Sequence, residues 1–450
     1  MTSATTLPFQ NSTQFHLVGI KGVAMTALTQ CLLDLGKQVT GSDVEEDFVT
    51  KHLLDTFHVP VKIGFHANNI SEQTNYVVYT GAHQGKENPE VIEAIKRGIP
   101  VLSHAEALGL LMHHKRGVAV CGVGGKTTTT AMLAWILELA SQHPSYAIGV
   151  GNVANLQRTG AYHTESEWFI VEADEYATDP GHDNTPRFMH LNPEIIICTR
   201  VAYDHPDIYP SFEATQDAYL KFFAKLPQNG TLVIPEEVVH LFGERLTILQ
   251  KEKGFSVLTF AQPDPAIDLK IPGEYNRMNA QAALLAAKHI KIPQEQVLAA
   301  LAQFSGTMRR FEHLGSVGSI ERYDDYAHHP DEITAVLRSL KEKYPKSTKI
   351  VLFQPHTYSR TLSLLNEFSQ CFTDADQVYL LDIFASAREK ENPGVSSDML
   401  AELMKKQGKQ AENLKTLPLA EEKLNATLKP GDVFITLGAG DVYHVHSMIK

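Results

Sequence analysis

The sequence "GVAVCGVGGKTTTTAMLAWILELA", Gly117 to Ala140, predicts the kind of fold that this chain adopts. An apolar run of strand length is followed by a glycine-rich turn, a lysine and four threonines, and then by an apolar stretch of helix length. Strand, turn and helix in this order are the repeating unit of parallel α/β sheets. Because the same order recurs along the whole chain, we predict an α/β fold.

The turn in this stretch, Gly122 to Thr127, has the composition of a phosphate-binding loop. At the start of a helix, backbone N–H groups and the positive end of the helix dipole point at a bound phosphate. Lys126 would add a point charge for the outer phosphates, and the Thr127 hydroxyl would be a magnesium ligand. The full pattern GxxxxGK[ST] needs a glycine where this chain has Val120. We favour phosphate binding, and the alternative is a glycine turn that only joins the strand to the helix.

Acidic residues and a histidine follow two other predicted strands of the same unit. Glu172, Asp174 and Glu175 come after "WFIV", and "YDHPD" with Asp204 and His205 comes after "IIICTR". The carboxyl ends of parallel strands share one edge of a sheet, so these side chains would converge near Lys126. Carboxylate oxygens and an imidazole near nucleotide phosphates suit magnesium. For each acid taken alone, a solvated charge at a loop edge is the alternative; together they favour Glu172 and His205 as metal ligands.

An earlier unit resembles a dinucleotide-binding fold. Gly19 and Gly22 lie between a strand and a helix, and Asp43 ends the next strand about twenty positions later, where such folds hold a ribose hydroxyl. Met25 stands at the third position of the glycine fingerprint, so a plain tight turn remains an alternative. A nicotinamide-dependent oxidoreductase is the function from another class that this unit leaves open.

A third unit has two histidine-containing clusters, "YDDYAHHP" and "FQPHTYSRT", that we predict to follow strands. With Arg309 and Arg310 just before them, they favour a binding face for an anionic substrate. Three successive α/β units predict three domains, with boundaries at residues 1–115, 116–312 and 313–450.

Composition narrows the class of protein. The chain has 450 residues and a formal net charge of -12, which argues against nucleic acid as a partner because no basic excess is present. The four cysteines have no CxxC spacing and are expected to be buried thiols. No apolar run reaches the length of a membrane span, and the first residues lack the pattern of a signal peptide, so we expect a cytoplasmic protein without a membrane partner.

The ordered motifs together resemble the Mur ligases, the ATP-dependent amide-forming enzymes of bacterial peptidoglycan synthesis, over essentially the whole chain. The motifs that carry the resemblance are "HLVGIKGVAM…VTGSD", "GKTTTTAM", "EADEY", "DHPDIY", "GEYNRMNAQAA", "MRRFE", "DDYAHHP", "FQPHTYSRT", "REKENPGVSS" and "LGAGDVY". The resemblance implies a Rossmann-like N-terminal sheet, a central P-loop ATPase-type parallel sheet and a C-terminal Rossmann-like α/β domain.

Within this family the last four motifs look like the members that join L-alanine to UDP-N-acetylmuramate through an acyl phosphate. The regions "GIKGVAM" and "EADEYATD…DHPDI" look at least as much like the members that attach a recycled tripeptide to the same sugar nucleotide. The third domain receives the amino acid in this family, so we expect L-alanine, with the tripeptide as the alternative. ATP and Mg²⁺ are the implied cofactors, and a monomer or a homodimer is expected.

The resemblance also assigns roles to individual residues. The implied catalytic residues are Lys126, Glu172 and His205, and the implied metal ligands are Thr127, Glu172 and His205. The implied ATP-binding residues are Gly122, Gly124, Gly125, Lys126, Thr127, Thr128, Asn276, Arg310 and Asp325. The residues implied for the uridine diphosphate end are Gly19, Gly22, Ser42 and Asp43. Those implied for the amino acid and the closing interface are His328, His329, His356, Tyr358 and Arg360.

Three positions depart from the family pattern. The family usually has Thr-His or Thr-Asn where this chain has Val123-Gly124, and Thr-Asn where it has Thr199-Arg200; Ala24 replaces a glycine. These departures keep open a nucleotide-binding relative that has lost catalysis.

Overall fold

The computed structural model describes residues 9, 11–385, 389 and 391–449. Its first sheet is fully parallel, in the order β3-β2-β1-β4-β5. The strands are β1 Gln14–Val18, β2 Gln38–Asp43, β3 Val61–Ile63, β4 Tyr76–Tyr79 and β5 Val101–Ser103. The helices are α1 Val23–Asp34, α2 Lys51–Thr56, α3 Pro89–Lys96 and α4 His104–Met112, with short 3₁₀ turns at Ala67–Asn69 and Gly85–Glu87. The strand order reverses beside β1, which opens a crevice at its carboxyl end where the Gly19 turn begins.

A buried polar network ties this sheet to α3. The carboxylate of Glu90 lies 2.9 Å from Nε2 of His16 on β1 and accepts hydrogen bonds from Ser42 on β2 (2.5 Å) and Asn69 (2.6 Å). Glu90, His16 and Ser42 have no exposed surface. A buried carboxylate is tolerated only when its lone pairs are satisfied, so this network fixes how α3 lies on the strands.

The central sheet has seven strands in the order β14-β13-β12-β6-β9-β7-β8, all parallel except β8. The strands are β6 Arg116–Cys121, β7 Ser145–Ala147, β8 Gly160–Ala161, β9 Trp168–Glu172, β12 Pro193–Cys198, β13 Thr231–Pro235 and β14 Ser256–Phe260, and β10 Ala177–Asp179 pairs with β11 Asp183–Pro186 in a separate hairpin. The helices are α5 Lys126–Leu139, α6 Phe212–Phe223, α7 Glu236–Phe242, α8 Glu244–Lys253, α9 Glu274–His289 and α10 Gln294–Gln303, with a 3₁₀ turn at Arg187–His190. Because β6 lies between β9 and β12, the ends of these three strands meet at one edge.

The middle strands form because their sequences are apolar on both faces, as strands covered by helices on both sides must be. In β6 five of the six residues are buried, and in β13 all five are. Helix α5 presents buried residues around most of its surface, so it is a core helix. The prediction that Gly117–Ala140 is a strand, a turn and a helix is confirmed.

The third sheet has the order β15-β16-β20-β17-β18-β19, and only the edge strand β15 is antiparallel. The strands are β15 Glu312–Val317, β16 Ile320–Asp325, β17 Lys349–Phe353, β18 Gln377–Leu381, β19 Ala411–Lys415 and β20 Val433–Leu437. The helices are α11 Pro330–Lys343, α12 Tyr358–Ser363, α13 Leu365–Gln370, α14 Ser397–Lys406 and α15 Leu417–Thr427, followed by a 3₁₀ turn at Val442–Ser447. The strand β16 runs through Asp325, so the cluster "YDDYAHHP" begins inside a strand and not after one.

By compactness the chain divides into two units. The first takes the described residues of Met1–Tyr203, Ser211–Leu269 and Met278–Thr307, and the second takes those of Asp204–Pro210, Lys270–Arg277 and Met308–Lys450. The loop after β12 that contains His205 therefore belongs with the third sheet.

Two expectations from composition can be compared with the structure. All four cysteines are buried and free, as predicted. Among the residues that the structure describes, none of the helices combines the length and the apolar character needed to cross a membrane.

We predict that Glu90→Gln lowers the free energy of unfolding by about 3 kcal/mol at neutral pH, because it removes one partner of a buried charged network. Glu93→Gln on the same helix is the matched control, since Glu93 pairs with Arg97 at the surface and its loss should leave stability near that of the wild type. Urea unfolding of both variants is the measurement, and equal stabilities would contradict the role of the network.

The effect of Glu90→Gln should also depend on pH. Burial alone would raise the pKa of Glu90, but its hydrogen bonds with His16, Ser42 and Asn69 hold that pKa below the ordinary 4.5. A depressed carboxyl pKa contributes stability that is complete above the unfolded value and is lost as the pH falls through the folded value. The difference between wild type and variant should therefore be full at pH 7 and shrink below about pH 4.5.

Candidate active site

The turn between β6 and α5 is made of backbone conformations that favour glycine. The φ angles are 127° at Gly122, 83° at Gly124 and 80° at Gly125. Side chains rarely adopt this left-handed region. Beyond the end of β6, the three glycines of the turn therefore contribute backbone atoms and no side chains.

The turn is fixed to the end of β12. The N–H of Val123 donates to the carbonyl of Arg200 (3.0 Å), and the Thr199 hydroxyl donates to the carbonyl of Gly124 (2.6 Å). A Cβ atom at Gly122 would overlap the Thr199 hydroxyl. These contacts hold the turn in one conformation and leave its remaining N–H groups for other partners.

Helix α5 begins directly after the turn, with Gly125 as its N-cap and no side-chain cap. A helix end of this kind leaves backbone N–H groups unsatisfied and is a ready site for an anion. Thr128 is buried in the first helical turn. On α9, the amide of Asn279 lies against Gly125, and its buried Nδ2 has no hydrogen-bond partner among the described residues.

Lys126 is bound to a buried carboxylate. Its Nζ lies 2.9 Å and 3.0 Å from the two oxygens of Glu175, which is 1% exposed. Burial alone would lower the pKa of Lys126, but the charges of Glu175, Asp174 and Glu172 raise it above the ordinary value. The lysine is therefore a fixed cation beside the turn.

Thr127 and Glu172 meet as the sequence predicts. The Thr127 hydroxyl donates to Oε2 of Glu172 (3.1 Å), and the other carboxylate oxygen accepts the N–H of Gly149 (2.6 Å). A hydroxyl and a carboxylate next to a phosphate-binding turn are the oxygen donors that Mg²⁺ prefers. The residues present here fit that ion.

His205, the third residue predicted as a metal ligand, lies in the second unit. Its φ of 56° is unusual for a residue other than glycine. The carboxylate of Asp204 accepts the N–H of His205 (2.7 Å) and lies 3.6 Å from its Nε2. Asp204 thereby stabilises the strained backbone that sets the direction of the imidazole.

Asn276 lies in the same unit, at the start of α9. It is 2% exposed, its Nδ2 donates to the carbonyl of Pro272 (2.7 Å), and its N–H donates to the carbonyl of Gly273 (3.1 Å). One N–H donor of the Asn276 amide is thus bound within the protein. The role of Asn276 in contacting adenine stays a prediction.

Asp325 ends β16 and is buried. Its two carboxylate oxygens accept the N–H groups of Phe311 (2.6 Å) and Ala327 (2.7 Å). Burial raises the pKa of Asp325 to about 7, although the charge of Arg310 acts in the opposite direction. The Arg310 guanidinium lies 5.1 Å from the ring centre of Tyr326.

His328 and His329 differ in environment. Burial lowers the pKa of His328 to about 4, and its Nδ1 lies 2.9 Å from the carbonyl of Tyr326. His329 is the N-cap of α11, where its ring accepts the N–H of Asp331 and its own N–H donates to Glu332. His329 therefore has a structural function at the helix end, and its place at the amino-acid site stays a prediction.

His356 and Arg360 are brought together. Arg360 Nη1 lies 3.3 Å from Nδ1 of His356, and the His356 ring stacks on Phe384 at 5.8 Å. Arg360 Nε donates to Asp204 at 2.8 Å, and both side chains are nearly inaccessible. Arg360 is a buried cation with a fixed orientation.

Tyr358 begins α12 beside these residues. Its N–H and that of Ser359 both donate to the carboxylate of Glu389, which caps the helix. Tyr358 is half-buried.

In the first sheet, the Gly19 turn is tightly packed. Gly19 has a φ of 80°, and a Cβ atom there would overlap Thr80. Gly22 is the N-cap of α1 and has no side-chain cap. Like α5, α1 thus begins after a glycine turn without a side-chain cap.

Ser42 and Asp43 face inward. Ser42 donates to Glu90, and the Asp43 carboxylate accepts the N–H groups of Lys21 (2.7 Å) and Val44 (2.8 Å). Both residues are almost fully buried. Their assignment to the uridine diphosphate end stays a prediction, and the structure gives both a part in holding the turn.

Sequence reasoning missed three residues of this region. Glu175 was only one of several acids, Asn279 stood inside a quoted motif without a role, and Asp204 was read only as a member of an acidic loop. Glu175 and Asp204 are distant in sequence from Lys126 and Arg360. The only signal in the sequence was that the motifs contain these two cations with no acidic residue next to them.

The sequence of this chain is similar to those of known proteins. Residues 14–116 match the model "Mur ligase family, catalytic domain", residues 120–266 match "Mur ligase middle domain", and residues 309–440 match "Mur ligase, glutamate ligase domain". Over 96% of this chain and 98% of the relative, the chain is 37% identical to the UDP-N-acetylmuramate--L-alanine ligase of Desulfitobacterium hafniense. It is also 37% identical to the protein of that name from Bdellovibrio bacteriovorus, over 95% of this chain and 96% of the relative.

Solved structures show the same fold. A UDP-N-acetylmuramate-alanine ligase of Thermotoga maritima superposes with a TM-score of 0.76 at 24% identity, over 96% of this chain and 97% of that one. A murein peptide ligase of Psychrobacter arcticus superposes with a TM-score of 0.69 at 22% identity, over 97% and 98%. Its sequence, its three successive sheets and the glycine turn with Lys126 show that this chain belongs to the Mur ligase family.

Proposed function

We propose that this protein is an ATP-dependent ligase that joins L-alanine to the lactyl carboxylate of UDP-N-acetylmuramate in peptidoglycan precursor synthesis. The observation that carries the proposal is the uncapped glycine turn with Lys126, Thr127 and Glu172 assembled around it. Relatives with the corresponding name, 37% identical over nearly the whole chain, support the choice of substrates.

The reaction has two steps. A carboxylate oxygen of the sugar nucleotide attacks the γ-phosphorus of ATP, the bond to the bridging oxygen breaks, and ADP leaves with the electron pair. The amine of L-alanine then attacks the carbonyl carbon of the acyl phosphate, loses a proton, and expels inorganic phosphate as the amide forms. Most of the catalysis in such a transfer comes from positioning and charge stabilisation.

The glycine turn and the start of α5 would hold the phosphates of ATP through backbone N–H groups, with Gly122, Gly124 and Gly125 allowing close approach. The Lys126 ammonium has three N–H donors, and the two oxygens of Glu175 leave one of them for a phosphate oxygen. Thr127, Glu172 and His205 would hold Mg²⁺. A bound magnesium ion would neutralise charge on the phosphoryl group that is transferred.

The remaining roles are part of the same proposal. Asn276, Arg310 and Asp325 would contact the nucleotide, Gly19 and Gly22 the uridine diphosphate end, and the cluster around Arg360 the amino acid. The work would be divided among the three domains with boundaries near residues 115 and 312. Since ATP and a UDP-sugar are cytoplasmic metabolites, the reaction would take place in the cytoplasm.

The proposal predicts phosphate release that depends on L-alanine. With UDP-N-acetylmuramate, ATP and Mg²⁺ present, adding L-alanine should raise the rate of phosphate release well above that without an amino acid. Parallel reactions with L-serine, glycine and the tripeptide measure the preference. Release stimulated only by the tripeptide would replace L-alanine as the acceptor, and ATP binding without turnover in any reaction would refute the proposed function.

Lys126→Ala should reduce kcat by at least about 10²-fold, because it removes the fixed cation beside the transferred phosphoryl group. The same change leaves the Glu175 carboxylate buried without its partner, so stability should fall by about 3 kcal/mol. The double variant Lys126→Ala/Glu175→Gln should recover most of the stability and none of the turnover. Thermal unfolding and phosphate release measure the two effects separately.

Lys115→Ala is the matched control for this prediction. Lys115 is also a partly buried lysine, but it precedes the opposite end of β6 and its Nζ donates to the carbonyls of His163 and Thr164. Its loss should change stability and leave kcat near that of the wild type. If the double variant regained turnover, or Lys115→Ala lost it, the role of the Lys126 charge would be contradicted.

A further inference from the structure

Within the second unit, a buried ion pair joins two segments that lie 156 positions apart in the sequence. Asp204 Oδ1 accepts a hydrogen bond from Arg360 Nε at 2.8 Å, and the side chains are 6% and 4% exposed. A buried ion pair pays a large desolvation cost and often contributes little net stability. Burial of this pair therefore does not decide whether it serves the fold or a ligand, and the other donors of Arg360 must be considered.

The donors of Arg360 are only partly used. Nε donates to Asp204, and Nη1 faces the ring nitrogen and the carbonyl of His356 at 3.3 Å. None of the described residues accepts a hydrogen bond from Nη2. A guanidinium has five N–H donors in a fixed planar arrangement that matches a carboxylate, so holding Nε determines where Nη2 points.

The surroundings of Arg360 explain why it needs a fixed partner. A long side chain loses considerable rotational entropy when it is held in one rotamer, and a substrate would have to supply that cost if no protein group did. Asp204 is itself fixed, because the same carboxylate accepts the N–H of His205 at 2.7 Å.

We infer that Asp204 is a positioning residue for the amino-acid substrate: it holds Arg360 so that Nη2 meets the α-carboxylate of the incoming amino acid. The inference rests on the proposed function and goes beyond it, because it names what orients the cation that recognises the carboxylate. Since Asp204 also fixes the backbone of His205, one side chain aligns the amino-acid site and a predicted metal ligand.

The chain contains a matched control in the same unit. Arg309 Nε donates to Asp324 at 2.8 Å, and this pair is as buried as the other. The remaining nitrogens of Arg309 donate to the carbonyls of Gly440 (3.1 Å) and Gly438 (2.7 Å). All three nitrogens of this guanidinium donate hydrogen bonds within the protein. Asp324 therefore supports the fold and should not affect substrate recognition.

The test compares Asp204→Asn with Asp324→Asn in steady-state kinetics, with ATP and UDP-N-acetylmuramate saturating. Each enzyme is assayed with L-alanine and with L-alaninamide, which has the amine but no carboxylate. In Asp204→Asn we expect KM for L-alanine to rise about tenfold, KM for ATP to change less than twofold, and the preference for L-alanine over the amide to fall by a similar factor. In Asp324→Asn the thermal midpoint should fall while this preference is unchanged.

A second variant keeps the test decisive if Asp204→Asn does not fold. Arg360→Lys retains the charge but cannot bind Asp204 and a carboxylate in the same planar arrangement, so it should lose the same preference. An unchanged preference in folded Asp204→Asn would overturn the inference, as would an equal loss in Asp324→Asn or, where Asp204→Asn does not fold, an unchanged preference in Arg360→Lys. L-alanine-dependent turnover of the wild type would leave the proposed function standing in each case. A wild type that turns over with no amino acid would overturn both.

Discussion

The central site depends on the close approach between the turn after β6 and the end of β12. Only glycine fits at Gly122, because any Cβ would overlap the Thr199 hydroxyl, and that hydroxyl in turn holds the carbonyl of Gly124. With the Val123 N–H bound to the carbonyl of Arg200, these contacts fix the turn and use one of its N–H groups and one of its carbonyl groups. The start of α5, with Lys126 and Thr127, is placed by this one constraint, and Glu172 reaches it because β9 is the neighbour of β6.

The turn accommodates two of the departures of this chain from the family pattern, Val123-Gly124 and Arg200. Val123 is 4% exposed, so its side chain packs in the interior and replaces a polar group with an apolar contact. Gly124 has a φ of 83°, a conformation in which a larger side chain would be strained. Arg200 binds the turn through its backbone carbonyl, which any residue can supply. The main chain of the glycine turn is therefore assembled without the side chains that the pattern leads one to expect.

Much of the fold could be predicted because it follows from local patterns. The apolar run before Gly122 and the helix after it have lengths and periodicities that need no knowledge of the rest of the chain, and the shared edge of a parallel sheet brings Thr127 to Glu172. The partners of Lys126 and Arg360 could not be predicted, because many acids have the same sequence signal and only the fold selects one. Arg309 shows the converse: the sequence grouped it with Arg310 as a binding cation, but its guanidinium is fully used by Asp324 and two glycine carbonyls.

Each of the two units contains a buried cation that is paired with an anion. Lys126 is bound by Glu175, and Arg360 is bound by Asp204. Such a cation attracts a distant anion less than a lone charge would. The partner carboxylate also fixes the orientation of the cation and offsets the free-energy cost of removing its charge from water. Under the proposed function, selection among anionic substrates would depend on where the unused donors point, because a substrate would gain the full interaction only when its phosphate or carboxylate fits those directions.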